Sequence, residues 1–177
     1  MGKLQISVDE MERTRVARFK NLKPSTRAFI DTAIPGYERL VYNIIGRGVT
    51  EDASLAPAIT DARDFNLTLV KKAPGNRVGL HDHPTVEVFM PLTGRWGVYW
   101  GDEAESEVTL EPWDVISVPP GVMRGFRNVG AEDAYLLAIL GGSDSGHVEW
   151  SPKVLDAAKQ YGLQLDEQGN VISASPR

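Results

Sequence analysis

The chain has 177 residues, 42% hydrophobic and 24% charged, a composition that excludes disordered, collagen-like and membrane-spanning classes and fits one globular unit. It has no cysteine, so thiolate metal sites, cysteine nucleophiles and disulfide frameworks are excluded. Nineteen basic residues against 24 acidic ones give a net charge of -5 with no block of Lys/Arg to track a phosphate backbone, so nucleic acid is not expected as a partner.

In chain order, Ser7 and Glu10 have the spacing of a capping box ahead of Met11 to Phe19, yet Thr14, Val16 and Phe19 suit a strand equally, and both readings stand. Strands are then predicted over Tyr37 to Ile45, Phe65 to Lys71, Val86 to Leu92 and Trp96 to Trp100, set off by turns such as Pro35-Gly36, Pro74-Gly75, Thr93-Gly94 and Gly101-Asp102. Glu107 to Leu110, Val115 to Val118, Met123 to Val129 and Ala134 to Leu140 continue the series. Turns this frequent fit antiparallel strands in a sandwich or barrel, because parallel strands would need longer helical crossovers between them. Ser151-Pro152 starts a short helix whose apolar face is Val154, Leu155, Ala158 and Tyr161, with Gly162 closing it. No repeat or linker divides the chain, so one domain over 1–177 is expected. The most apolar run, Ala134 to Leu140, is far short of the roughly 20 residues that cross a bilayer, and the N-terminus lacks an apolar leader. The expectation is a cytoplasmic protein with no membrane contact.

The chemistry concentrates between Gly79 and Glu87. His81 and His83 alternate with one residue between them, so an extended segment points both imidazoles the same way, toward one cation. Glu87 follows either on that face or, if Pro84 bends the chain, from a neighbouring strand. Two imidazoles and a carboxylate form the ligand set of open non-heme iron sites, and also suit manganese, nickel or zinc. By spacing alone, a pair of surface histidines beside an exposed glutamate explains the motif equally well.

The surroundings favour the metal reading. Gly75, His81, His83, Glu87 and Gly94 complete the pattern Gly-x5-His-x-His-x3-Glu-x6-Gly, which resembles the first motif of the cupin superfamily. A second cupin-like motif, Gly-x5-Pro-x-Gly-x2-His-x3-Asn, is met by Pro119, Gly121 and Asn128, while Trp113 stands for the Gly and Arg124 for the His. The resemblance covers roughly 61–142. It implies an all-β, cupin-type antiparallel β-barrel (double-stranded β-helix, or jelly roll) with a short C-terminal helix, the barrel core at 61–142, an N-terminal extension at 1–60 and a C-terminal tail at 143–177. It also implies a homodimer.

Arg124 departs from the family's usual third histidine, and a guanidinium cannot ligate a metal because it stays protonated. Three protein ligands then leave positions open for water, oxygen or substrate. With the imidazoles neutral, Glu87 and Arg124 sum to about zero, and a divalent ion takes the pocket to about +2, which favours an anionic substrate. The expected protein is therefore a metal-dependent cupin enzyme, with Fe(II) as the ion, oxygenase chemistry, and Arg124 as the catalytic residue that orients the substrate's negative group. The same ligands also suit an isomerase or lyase. In the alternative, Arg124 pairs with Glu87 and leaves a metal-free pocket that binds an organic anion or sugar acid. Phe89, Phe126 and Asn128 are expected to line the substrate pocket on either reading, although such aromatic residues, like Trp96 and Trp100, also serve simply as core. His147, in a Gly/Ser loop, is expected at the surface.

Overall fold

The computed structural model describes residues 3–173. Two five-stranded antiparallel sheets face each other. One has the order β1 (Leu40–Ile45), β2 (Phe65–Lys72), β9 (Ala134–Gly141), β4 (Glu87–Pro91), β7 (Ile116–Val118). The other runs β10 (Glu149–Trp150), β3 (His81–Asp82), β8 (Arg124–Asn128), β5 (Trp96–Trp100), β6 (Ser106–Leu110). Successive strands thus change sheet repeatedly, the jelly-roll arrangement expected of the motifs. The sheets begin at Leu40 and end at Trp150, wider than 61–142.

Period-two alternation builds the interior. Along β9, Ala134, Leu136, Ala138 and Leu140 are buried while the residues between them are half-buried. Phe89 of the first sheet packs its ring 4.9 Å from Phe126 of the second, and Trp96 lies 6.0 Å from Phe126, so aromatic contacts join the layers. The same alternation sends Glu87 on β4 and Arg124 on β8 inward among these apolar residues.

The helices resolve the open N-terminal choice. Residues Val8–Arg15 form α1, because Ser7 Oγ accepts from the Glu10 amide at 3.1 Å. Helix α2 (Pro152–Gln160) starts where expected, but its buried residues are Val154 and Ala158, four apart, while Leu155 and Tyr161 are exposed. Three features were not predicted: the two-residue strands β3 and β10, and a small hairpin of β11 (Leu163–Leu165) with β12 (Val171–Ser173). Strand β1 starts three residues later than expected. The Tyr37 and Glu38 carbonyls instead accept from the buried Lys72 Nζ at 3.3 and 3.4 Å, together with Arg77 O at 2.8 Å. Burial pulls the Lys72 pKa down, yet three acceptors match the three N–H groups of a charged ammonium. Among the described residues no helix is long and apolar enough to cross a membrane.

The motif glycines have a conformational reason. Gly75, Gly94 and Gly121 all adopt positive φ, at 78°, 66° and 80°. Trp113, standing where the second motif has Gly, is held at φ 76° with 69% of its surface exposed. A side chain there strains the backbone and gains little from packing. Trp113→Gly should therefore stabilise the protein by about 1 kcal/mol, read from chemical denaturation midpoints. Gly125, beside Arg124, needs its missing side chain for space: a Cβ would lie 2.4 Å from the Tyr99 ring and 2.7 Å from the Val78 carbonyl. Gly125→Ala should cost about 1–3 kcal/mol in the same measurement, because backbone cannot yield as a flexible side chain does.

Candidate metal centre

The site sits where the chain crosses from one sheet to the other. His81 lies on β3, opposite Arg124 of β8 on one side and Trp150 of β10 on the other. The chain then turns through His83 and Pro84 into β4, so Glu87 arrives from the facing sheet, the bent path that Pro84 allowed. All three candidate ligands are buried, and one ligand atom from each lies within 4.8 Å of the others. Glu87 Oε2 is 3.9 Å from His81 Nε2 and 3.6 Å from His83 Nε2. Both separations are below about 4.2 Å, twice a typical metal-to-ligand bond, so one ion can reach Glu87 together with either imidazole.

The imidazoles are prepared for such a role. His81 Nδ1 lies 2.7 Å from the Gly79 carbonyl, which places its proton there and leaves Nε2 as an acceptor aimed at Glu87. Trp150 packs 5.2 Å from the His81 ring, and its Nε1 donates at 2.6 Å to the buried Glu51. The other Glu51 oxygen accepts from the Ile30 amide, also at 2.6 Å, so this carboxylate fixes one wall of the site. Burial, reinforced by the nearby Arg124 charge, lowers His81 to about 3, and burial with His81 and Arg124 lowers His83 to about 2. Both rings are neutral across the ordinary pH range. Burial pushes Glu87 up to about 7, against the opposing pull of Arg124. His83 Nδ1 is buried without a hydrogen-bond partner among the described residues.

Arg124 is wholly buried and bridges two carboxylates. Its Nε donates to Glu87 Oε2 at 3.0 Å and its Nη1 to Asp82 Oδ1 at 2.6 Å. The pairing of Arg124 with Glu87 expected in the alternative is present, through Nε alone, and Nη1 is given to Asp82, so two of its three nitrogens face carboxylates rather than a substrate. Nη2 has no partner among the described residues. Asp82, which neither motif singles out, also accepts from the amides of His83 at 2.6 Å and Gly121 at 3.1 Å, tying the two motifs together. Counting Asp82 corrects the charge: Glu87, Asp82 and Arg124 sum to about -1, and a divalent ion would bring the group to about +1.

The ligands open on a cavity of about 40 Å³. Phe126 is one of its walls, as expected, but Phe89 and Asn128 are not. Phe89 is core behind Phe126. Asn128 is used by the backbone: its Nδ2 donates to the Lys72 and Glu132 carbonyls and its Oδ1 accepts from the Gly130 amide, leaving nothing for a substrate. The walls that sequence did not mark include Phe29, Arg39 and Trp150, isolated residues outside both motifs. His147 is exposed.

The cupin domain family matches residues 68–140. Among solved structures, the chain is similar to the polyketide cyclase RemF from Streptomyces resistomycificus, at 15% identity over 77% of this chain and 84% of that one, with TM-score 0.57. A cupin 2 domain-containing protein from Halorhodospira halophila matches at 21% identity over 68% and 75% of the two chains, TM-score 0.51. An oxalate decarboxylase from Lactobacillus farciminis matches at 20% identity over 77% of this chain and 36% of that one, TM-score 0.54. No curated protein matches in sequence. At these identities the structural likeness speaks for fold alone, and fold alone assigns no reaction. Two ordered motifs, ten strands in two facing sheets and the matched domain together give this chain a cupin-type fold, with a cupin domain at residues 68–140.

Proposed function

We propose that the protein is a metal-dependent enzyme, an oxygenase that uses Fe(II) held by His81, His83 and Glu87 to act on a small organic anion. The observation that carries this reading is the convergence of two neutral imidazoles and one carboxylate within 4.8 Å at the wall of a small, mostly apolar cavity. A bound ion would supply Lewis acidity and, as iron, redox chemistry with oxygen. The chain's own residues do the rest. His81 and His83 present lone pairs with no proton to displace. Arg124 and Asp82 set the orientation of Glu87, so Arg124 acts on the site through that carboxylate. The apolar walls exclude bulk water and limit the substrate to a few atoms.

A second reading rests on the 3.0 Å contact from Arg124 Nε to the same Glu87 oxygen that faces both imidazoles. Under it that oxygen belongs to the guanidinium and the cavity binds an organic anion without metal. Elemental analysis of protein prepared without a polyhistidine tag separates the two. The metal enzyme should hold close to one equivalent after reconstitution, and Glu87→Gln should lose more than the roughly 10–100-fold in affinity that removal of an outer partner costs. Less than about 0.1 equivalent in the wild type would establish the metal-free pocket instead.

Proton competition gives an independent check. Without an ion, Glu87 gains its proton near pH 7, whereas His81 and His83 stay neutral down to about 3 and 2. An entering cation must displace the Glu87 proton below pH 7 and displaces none above it. Metal affinity should thus fall by about tenfold per pH unit below 7 and level off above it, in competition titrations between about pH 5 and 8. A slope of two protons would show that a histidine titrates as well.

A further inference from the structure

We propose that Arg39, not Arg124, is the residue that binds the substrate's carboxylate, and that the substrate is a short monocarboxylate with an apolar body. This deepens the proposed function and rests on its small organic anion. Arg39 directly precedes β1, outside the matched domain, yet its side chain lines the same cavity as His81, His83 and Glu87. It is built in rather than draped over the surface: its side chain is 2% exposed. Nη2 donates to Asp31 Oδ1 at 2.7 Å, Nη1 to the Tyr37 carbonyl at 3.1 Å, and the guanidinium lies 4.8 Å from the centre of the Phe29 ring, itself a cavity wall. The other Asp31 oxygen accepts from the Gly79 amide at 3.0 Å, which locks this pair to the segment that carries His81.

A guanidinium has five N–H donors, and here two hydrogen bonds to protein acceptors are formed among the described residues, none of them from Nε. A buried cation with donors left over, on the wall of a cavity, is arranged to receive an anion. Arg124 also keeps one nitrogen without a partner among the described residues, Nη2, but it is absent from the cavity walls, so that donor has no access to a ligand there.

The remaining walls define what the anion carries. Thr50 Oγ1 donates to the Arg47 carbonyl and Thr68 Oγ1 to Asn43, so both hydroxyls are engaged within the protein. Val70, Val78, Phe126 and Leu140 present only carbon. The cavity has room for about three water-sized groups. Size and chemistry limit the ligand to one carboxylate: a space of about 40 Å³ walled mostly by carbon offers a second anionic group no donor of its own.

The probe is propionate, with propionamide as its uncharged counterpart and malonate as a dianion, titrated calorimetrically into the full chain, with metal content measured on the same samples. Propionate should bind the metal-loaded wild type more tightly than either of the others. Arg39→Lys, which keeps the charge on Asp31 compensated, should weaken propionate by about tenfold while leaving metal content unchanged. The double variant Arg39→Met with Asp31→Asn removes the pair without stranding a buried charge, and should abolish the preference for propionate over propionamide. Unchanged propionate affinity in Arg39→Lys would overturn the proposal, as would absence of propionate binding to the loaded wild type at about 50 mM, a concentration well above a millimolar Kd. Propionate that binds through Arg39 to protein holding no metal would sustain this assignment while refuting the metal enzyme. Metal held normally with propionate indifferent to Arg39 would do the reverse.

Discussion

Burying charge inside a β-barrel is the constraint on which the site depends. Glu87 and Arg124 are drawn out of bulk water by the inward faces of strands that also carry Phe89 and Phe126, with the partly buried Asp82 beside them. Each ion left alone there would be costly, and removing one member of such a group typically costs about 3–5 kcal/mol. Arg124 solves this by spanning the sheets: Nε reaches Glu87 on β4 of one layer, while Nη1 reaches Asp82 on β3 of the other. The layers are thereby registered at the point where His81 and His83 must meet Glu87. Aromatic packing alone would leave that register looser, because hydrophobic contacts have no direction.

The rest of the cavity is organised by the same logic at one remove. Asp31 and Arg39 form a second buried pair, and Glu51 meets two donors, the Ile30 amide and the Trp150 indole. Except for Trp150 of β10, these groups come from the segment before β2, which brings Phe29 and Arg39 to the cavity wall alongside the candidate ligands. The outcome is a small space with neutral acceptors, a cation with spare donors, and carbon between them. Such a space discriminates by charge and by volume together. His81, Glu87 and Arg39 are held rigid by partners that are themselves buried, the Gly79 carbonyl, Arg124 and Asp31.

Much of the fold was legible in the chain. Glycine and proline turns separate the strands, and alternation along β8 places Arg124, Phe126 and Asn128 on the inward face, as they are found. The strands β3 and β10 escaped because two residues carry no period, and the hairpin of β11 and β12 because its few apolar positions look like loop. Asn128 matches its motif but serves a different purpose from the one expected. In the sequence an inward asparagine reads as a pocket residue, whereas three backbone groups around it needed hydrogen bonds.

The sequence by itself named His81, His83 and Glu87 as the candidate trio, since the period of two and the break at Pro84 are local properties of nine consecutive residues. It also determined that an arginine replaces the family's third histidine. Only the tertiary structure decided what that arginine does. Its partners lie 37 and 42 positions away, and the choice between Glu87, Asp82 and a substrate depends on distances that no local pattern encodes. Arg39, Asp31 and Glu51 were invisible for the same reason: a single charged residue is solvated by default, and becomes part of a site only when the packed barrel removes its water and supplies a partner.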